Sequence, residues 1–411
     1  MFLAPSYHPR PVTDATPHPR DVPVPAWALL GVTWLNSLGS GVLWSGVPFV
    51  TERQYGFTER QNLLLALAES AIYVAVALGA GPVLRAAERR WDLTPRGWIG
   101  GIMVVQAGAS LLALAGAAGV VAAGCIISAA GAALWPVMES YVSSGRHGAG
   151  MRRAIGTFNV TWMSATGIAL VGMGPLMSRG DPNLSLLALV PASGISLLLL
   201  NAFPARPAPH AHEDAHPHVA PSYPFLLRST RFILPTSYVF VSVLGPVLPY
   251  VTRDLGIDEA WRTPVASLWM FVRMATVALL AVASFWHGRW WTIAVGVALL
   301  AGGFAATVLS DGTAGLCAGL AAFGMGHGVL YFAGLYYAMA VGGAEVDAGG
   351  RFEALIGAGY VVGPLAGMAA AGSGAGLVVV VGAAALLGLV PAAMPWRAWR
   401  RAHGGSVKIA S

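Results

Sequence analysis

Charge is scarce in this sequence. Only 10% of its 411 residues are charged, 56% are hydrophobic, and the mean hydropathy is +0.65. A surface in water needs roughly 25% charged residues, so most of this surface faces something else, and a lipid bilayer is its expected partner. Lysine is nearly absent: Lys408 is the single one among 24 basic residues. The two cysteines, Cys125 and Cys317, fall in apolar runs far apart, which argues against a disulfide framework. The sequence contains no nucleotide-binding loop, metalloprotease motif or serine nucleophile elbow, so neither an enzyme nor a bound cofactor is expected. The net charge of +6 does not suggest nucleic acid, because the basic residues flank apolar runs and form no single patch.

Long apolar runs are what the chain does have. A bilayer core about 30 Å thick takes roughly 20 apolar residues in a helix. That length predicts twelve segments, at 27–50, 63–84, 98–118, 121–143, 154–177, 183–203, 231–251, 264–286, 290–309, 315–341, 353–371 and 376–395. The expected fold is therefore an all-α integral membrane protein of twelve transmembrane helices in two pseudo-symmetric six-helix bundles. Its parts are a proline-rich, disordered cytoplasmic tail (1–26), an N-terminal bundle (27–203), a cytoplasmic loop rich in His and Pro (204–230), a C-terminal bundle (231–396) and a basic cytoplasmic tail (397–411). With both termini inside, the outer loops hold only Arg53, Arg60, Arg179, Arg253 and Arg262, and Arg273 lies within a helix. All other basic residues fall on the cytoplasmic side, as the positive-inside rule requires of an inner-membrane protein. Trp27, Trp91, Trp98, Trp261, Trp286, Trp290, Trp291, Trp396 and Trp399 sit at predicted helix ends, as an interfacial belt would place them.

Three stretches recur in the same order. PFVTERQYGFTE (48–59) returns as PYVTRDLGIDE (249–259), ALWPVMESY (133–141) more weakly as VLYFAGLYY (329–337), and NAFPAR (201–206) as AAMPWR (392–397). Transporters built from such repeats bind their substrate between the halves, near mid-membrane. The doubled arrangement, the central polar loop and the turn after helix 1 resemble the major facilitator superfamily over nearly the whole chain. Of that family's loop after helix 2, Gly81, Arg89 and Arg90 are present, with Arg85 where the family has an acid. The pattern G-x-x-x-G-P-x-x-G, which the family's antiporters carry in helix 5, occurs here in helix 11 as Gly359, Gly363, Pro364 and Gly367, so no antiporter is inferred from it.

Ionisable groups inside a bilayer are costly and tend to be functional. Arg273 is a permanent cation deep in helix 8, with Trp269 one turn before it, which suits contact with an anionic solute group; a buried ion pair is the structural alternative. Glu69 shares a face of helix 2 with Asn62 and Tyr73, and desolvation there suits a carboxylate to reversible protonation. His327, one turn before Tyr331, is the second proton-site candidate. Asn36, Ser40 and Trp44 form a polar-aromatic stripe on helix 1. Asn159, Trp162 and Thr166 form another on helix 5, with Trp135 on helix 4, and either substrate contact or helix packing accounts for both. Glu139 and Glu353 are expected to pair with Arg85, Arg89, Arg90 or Arg153 in a cytoplasmic gate. His210, His212, His216 and His218 lie in a Pro/Ala-rich stretch that suits a solvated linker, and no metal site is predicted.

The expected function is secondary transport of a small, anionic or amphipathic organic solute by a monomer working through alternating access, with protons as the coupling ion. A drug or metabolite efflux antiporter, a lipid flippase and a non-transporting sensor stay open as alternatives.

Overall fold

A computed structural model describes residues 23–144, 146, 148–208, 221–341 and 346–403. These are helical, without strands among the described residues. In chain order the rods are α1 (Ala26–Tyr55), α2 (Glu59–Trp91), α3 (Pro95–Leu111), α4 (Gly116–Ser143), α5 (Gly148–Arg179) and α6 (Leu184–Ala202). The second half comprises α7 (Tyr223–Asp254), α8 (Glu259–Val282), α9 (Trp290–Val308), α10 (Thr313–Val341), α11 (Val346–Met368) and α12 (Gly374–His403). Among the described residues, 10 helical segments are long and apolar enough to cross a membrane. One of them, Pro95–Ser143, holds both α3 and α4, which fold back against each other at Gly116, a position with φ of 75° that suits glycine. In α11 only the shorter stretch Leu355–Met368 is counted as apolar.

Helices overrun their apolar runs, because hydropathy reports the part that suits lipid and not where the backbone stops. Thus α7 begins at Tyr223 inside the expected 204–230 loop, and α12 continues to His403 through the expected tail. Arg85, Arg89 and Arg90, expected in a loop, lie exposed on the final turns of α2. Trp286, expected in an interfacial belt, is fully buried and donates to the carbonyls of Leu280 and Ala283.

Packing repeats between the halves. In the first, α1 lies on α5 and α2 on α4; in the second, α7 lies on α11 and α8 on α10. The halves meet where α2 packs on α11 and α5 on α8. The glycine pattern of α11 is a packing device: a Cβ at Gly359 would meet the Pro235 carbonyl, one at Gly363 the Val239 carbonyl, and one at Gly367 the Leu63 side chain. Small residues at such crossings let helices approach where lipid supplies no hydrophobic drive.

Candidate functional site

A cavity of about 150 Å³ lies between the halves, lined from α1, α2, α4, α5, α7, α8, α10 and α11. Arg273 stands in its wall, 4% exposed. Its guanidinium carbon lies 4.7 Å from the ring centroid of Trp162 and 4.5 Å from that of Tyr331. Nη2 donates to the Tyr238 hydroxyl at 3.4 Å, and Nε has no hydrogen-bond partner among the described residues. Cation–π contacts contribute about 0.5–2 kcal/mol each, against several kcal/mol to desolvate an ion, so the rings only partly offset burial of this charge. Among the described residues no ion pair, the alternative reading of this charge, accompanies Arg273.

Asn159, expected to touch solute, instead positions the two rings. Its Oδ1 accepts from Trp162 Nε1 at 2.9 Å and from the Tyr331 hydroxyl at 2.8 Å, joining α5 of one half to α10 of the other. Trp135 and Tyr331, paired positions of the weaker repeat, both line the cavity. Trp44 stacks on Tyr360 with centroids 4.7 Å apart and planes 14° from parallel, and Tyr73 meets Trp44 edge-on at 5.8 Å. Trp44 belongs to a π-helical turn, Val42–Gly46, a feature that often marks functional stretches and for which the sequence carried no signal. Ser40 also lines the cavity, whereas Asn36 lines a smaller recess beside it and donates to Val32 O at 2.9 Å and Ser196 Oγ at 3.2 Å.

Glu69 lines the same cavity, 3% exposed, and its Oε1 has no partner among the described residues. Gly124 makes room for it: a Cβ there would collide with that oxygen. His327 does not line the cavity. It is fully buried behind the wall, between Tyr238 (centroids 5.0 Å apart), Trp269 (6.1 Å) and Phe323 (6.4 Å), with both ring nitrogens unpartnered among the described residues.

The residues of the expected cytoplasmic gate are described only in part. Glu139 is half-buried and lines the cavity, Arg153 is exposed, and the side chain of Glu353 lies outside the described residues, as does the whole His-rich stretch 209–220. A cluster of ion pairs that sequence reasoning missed joins the two halves at the opposite end, where α1 turns into α2 and α7 into α8. Glu52 of the first half receives Arg262 at 3.0 Å and Arg253 at 3.3 Å from the second, and Arg53 pairs with Glu259 at 2.8 Å. The Arg262 and Glu52 side chains are only 6% and 8% exposed. Tyr250 adds a bond to the Phe57 carbonyl at 2.7 Å. The available signal was the repeat itself: the duplicated stretches 48–59 and 249–259 supply most of these charges.

No sequence-family model and no curated protein sequence matches the chain. Solved structures do. The human organic anion transporter MFSD10 (TETRAN) is similar at a TM-score of 0.61 and 15% identity, over 89% of this chain and 98% of that one. The nucleoside transporter NupG is similar at a TM-score of 0.64 and 13% identity, over 91% and 99%. A bacterial homologue of the human lysosomal transporter Spinster, solved inward-facing and unoccupied, is similar at a TM-score of 0.65 and 13% identity, over 91% and 96%. All three are transporters and none is an enzyme. Two helical halves with a cavity between them thus give this chain the fold of major facilitator superfamily transporters across nearly its whole length.

Proposed function

We propose that the protein is a secondary transporter that carries a small organic solute with an anionic group across the inner membrane by alternating access, as a monomer with both termini inside. The observation that carries this reading is Arg273: a buried cation with no ion-pair partner among the described residues, in the wall of a cavity shared by two repeated halves. A permanent charge that rests against two rings and one hydroxyl is a ready counter-ion for an incoming anion. Glu69, an acid in the same cavity without a cationic partner among the described residues, supplies a site for the coupling proton. One chain contains the whole cavity, which supports a monomer. The latch of Glu52, Arg253, Arg262, Arg53 and Glu259 seals the outer end in this state, and rocking of the halves breaks it and exposes the cavity on the other side. That the neighbours include an organic anion transporter and a nucleoside transporter fits a small organic cargo.

The test is flux into proteoliposomes holding the purified full chain, with a panel of labelled organic anions, neutral solutes and cations, at equal and unequal pH across the bilayer. The reading requires saturable uptake of an anion that an inward proton gradient drives and that Arg273→Ala abolishes. Uptake confined to cations, or unaffected by Arg273→Ala, overturns it.

A further inference from the structure

The geometry around Arg273 says more about the solute than its charge. Trp162 and Tyr331 have ring centroids 6.0 Å apart and planes 77° from parallel. With each centroid about as far from the guanidinium carbon as given above, the rings cover adjoining sides of the group, not its two opposite faces. The guanidinium is wedged in an aromatic corner, and Nε keeps a donor without a partner among the described residues. A guanidinium edge presents parallel donors that match a carboxylate lying in its plane.

A continuous aromatic wall leads away from that corner. The Tyr238 hydroxyl accepts from Arg273 Nη2, the Tyr238 ring lies 5.0 Å from that of Tyr360, and Tyr360 stacks on Trp44. All three rings line the cavity. Flat apolar bodies gain offset-stacked and edge-to-face contacts along such a wall that puckered ones do not. The remaining ionisable acids of the described lining are Glu69 and Glu139, and Arg273 is its only cation. A solute with two negative charges would satisfy one at Arg273 and bring the other near carboxylates.

We propose that the solute bound in this cavity is an aryl monocarboxylate, its carboxylate paired in plane with Arg273 and its aromatic body lying along Tyr238, Tyr360 and Trp44. The assignment rests on the transporter reading for its physiological meaning, and binding tests it separately from transport.

The experiment is calorimetric titration of the full chain in nanodiscs with four probes: 2-naphthoate, decahydro-2-naphthoate (the same charge without π faces), 2-naphthalenemethanol (no charge) and 2-naphthyl phosphate (a dianion). The expected result is that 2-naphthoate binds about tenfold more tightly than each of the others: the alcohol leaves the guanidinium donors unpaired, the saturated acid loses the ring-face contacts, and the phosphate brings a second charge near Glu69 and Glu139. Arg273→Lys, which keeps the charge but loses the planar fork, is expected to weaken 2-naphthoate about tenfold and leave the alcohol unchanged. An unchanged thermal unfolding midpoint for that variant shows that folding is not the cause. Equal or tighter binding of the saturated acid or the phosphate, indifference to Arg273→Lys, or no binding by any probe overturns the aryl monocarboxylate. Arg273-dependent flux of an unrelated solute, without naphthoate binding, overturns this assignment and leaves transport standing. Selective naphthoate binding with no flux of any solute supports the assignment and removes the transporter reading.

Discussion

Asn62 and Arg262 occupy matching places in the two halves and make matching bonds. Asn62 donates to the Pro48 carbonyl at 3.0 Å and accepts from the Thr51 hydroxyl at 2.6 Å; Arg262 donates to the Pro249 carbonyl and to Thr252 Oγ1 at 3.2 Å. Each therefore ties the start of an even-numbered helix to the end of the helix before it. Each also crosses to the other half, Asn62 to the Tyr250 hydroxyl at 2.9 Å and Arg262 to Glu52. Gly56 and Gly256, which end the preceding helices, share a φ of 66°. The duplication is thus visible in single hydrogen bonds, and it doubles the seal.

If that seal holds one transport state, loosening it should expose the cavity. Removing one partner of a buried ion pair costs about 3–5 kcal/mol. Glu52→Gln is therefore expected to shift the population away from the sealed state. With Cys125 and Cys317 replaced by Ala, a Val47→Cys reporter on the cavity wall should label faster with an impermeant thiol reagent added outside. Unchanged labelling would show that the Glu52–Arg262 pair is not a latch.

Asn159 holds Trp162 and Tyr331 through one oxygen. Asn159→Leu keeps the branched shape but leaves both donors without their acceptor, so the aromatic corner loses its register. Solute affinity should fall about tenfold, roughly 1.4 kcal/mol, with little loss of thermal stability. An affinity within error of the parent would mean that the rings hold their places without Asn159.

Glu69→Gln keeps the shape of the side chain and removes its titration. Proton-driven accumulation in proteoliposomes should vanish, while exchange of labelled for unlabelled solute at equal pH persists. Accumulation that still follows the pH gradient would move the coupling proton elsewhere.

Gly359 faces the Pro235 carbonyl and the Tyr238 side chain, whereas Gly382 in α12 has open space where a Cβ would go. Overpacking a tight contact costs about 1–3 kcal/mol. Gly359→Ala should lower the thermal unfolding midpoint, and Gly382→Ala should leave it unchanged or raise it slightly. Equal midpoints would contradict the close crossing of α7 and α11.

Some of the site was legible before the fold. Arg273, Glu69, Trp44, Trp135, Trp162, Trp269 and Tyr331 stood out as charged or aromatic residues at helical spacing in apolar runs, and the fold brings all of them to one cavity. His327 carried the same signal but lies behind the wall, because a few tens of degrees of helix rotation decide whether a side chain faces the cavity or its support. Asn159 was legible as a polar residue but not as the shared acceptor of two rings from different halves. Arg262 was read as a loop charge and Glu52 was not singled out, since nothing local distinguishes a solvated Arg from one whose partner arrives from the other half.

The sequence by itself determined the class of molecule. Lipid selects for long uncharged helices, each of which satisfies its own backbone hydrogen bonds, so hydropathy and the three repeated stretches were enough to read membrane helices in two related halves. Tertiary structure alone decided which residues meet: that Arg273 rests in an aromatic corner, and that the ion pairs Arg262–Glu52 and Arg53–Glu259 join the two halves at the end opposite the expected gate. The physical reason is that hydropathy and helical spacing are properties of one helix. A pairing across the seam depends on how two halves cross, which no single stretch of chain encodes.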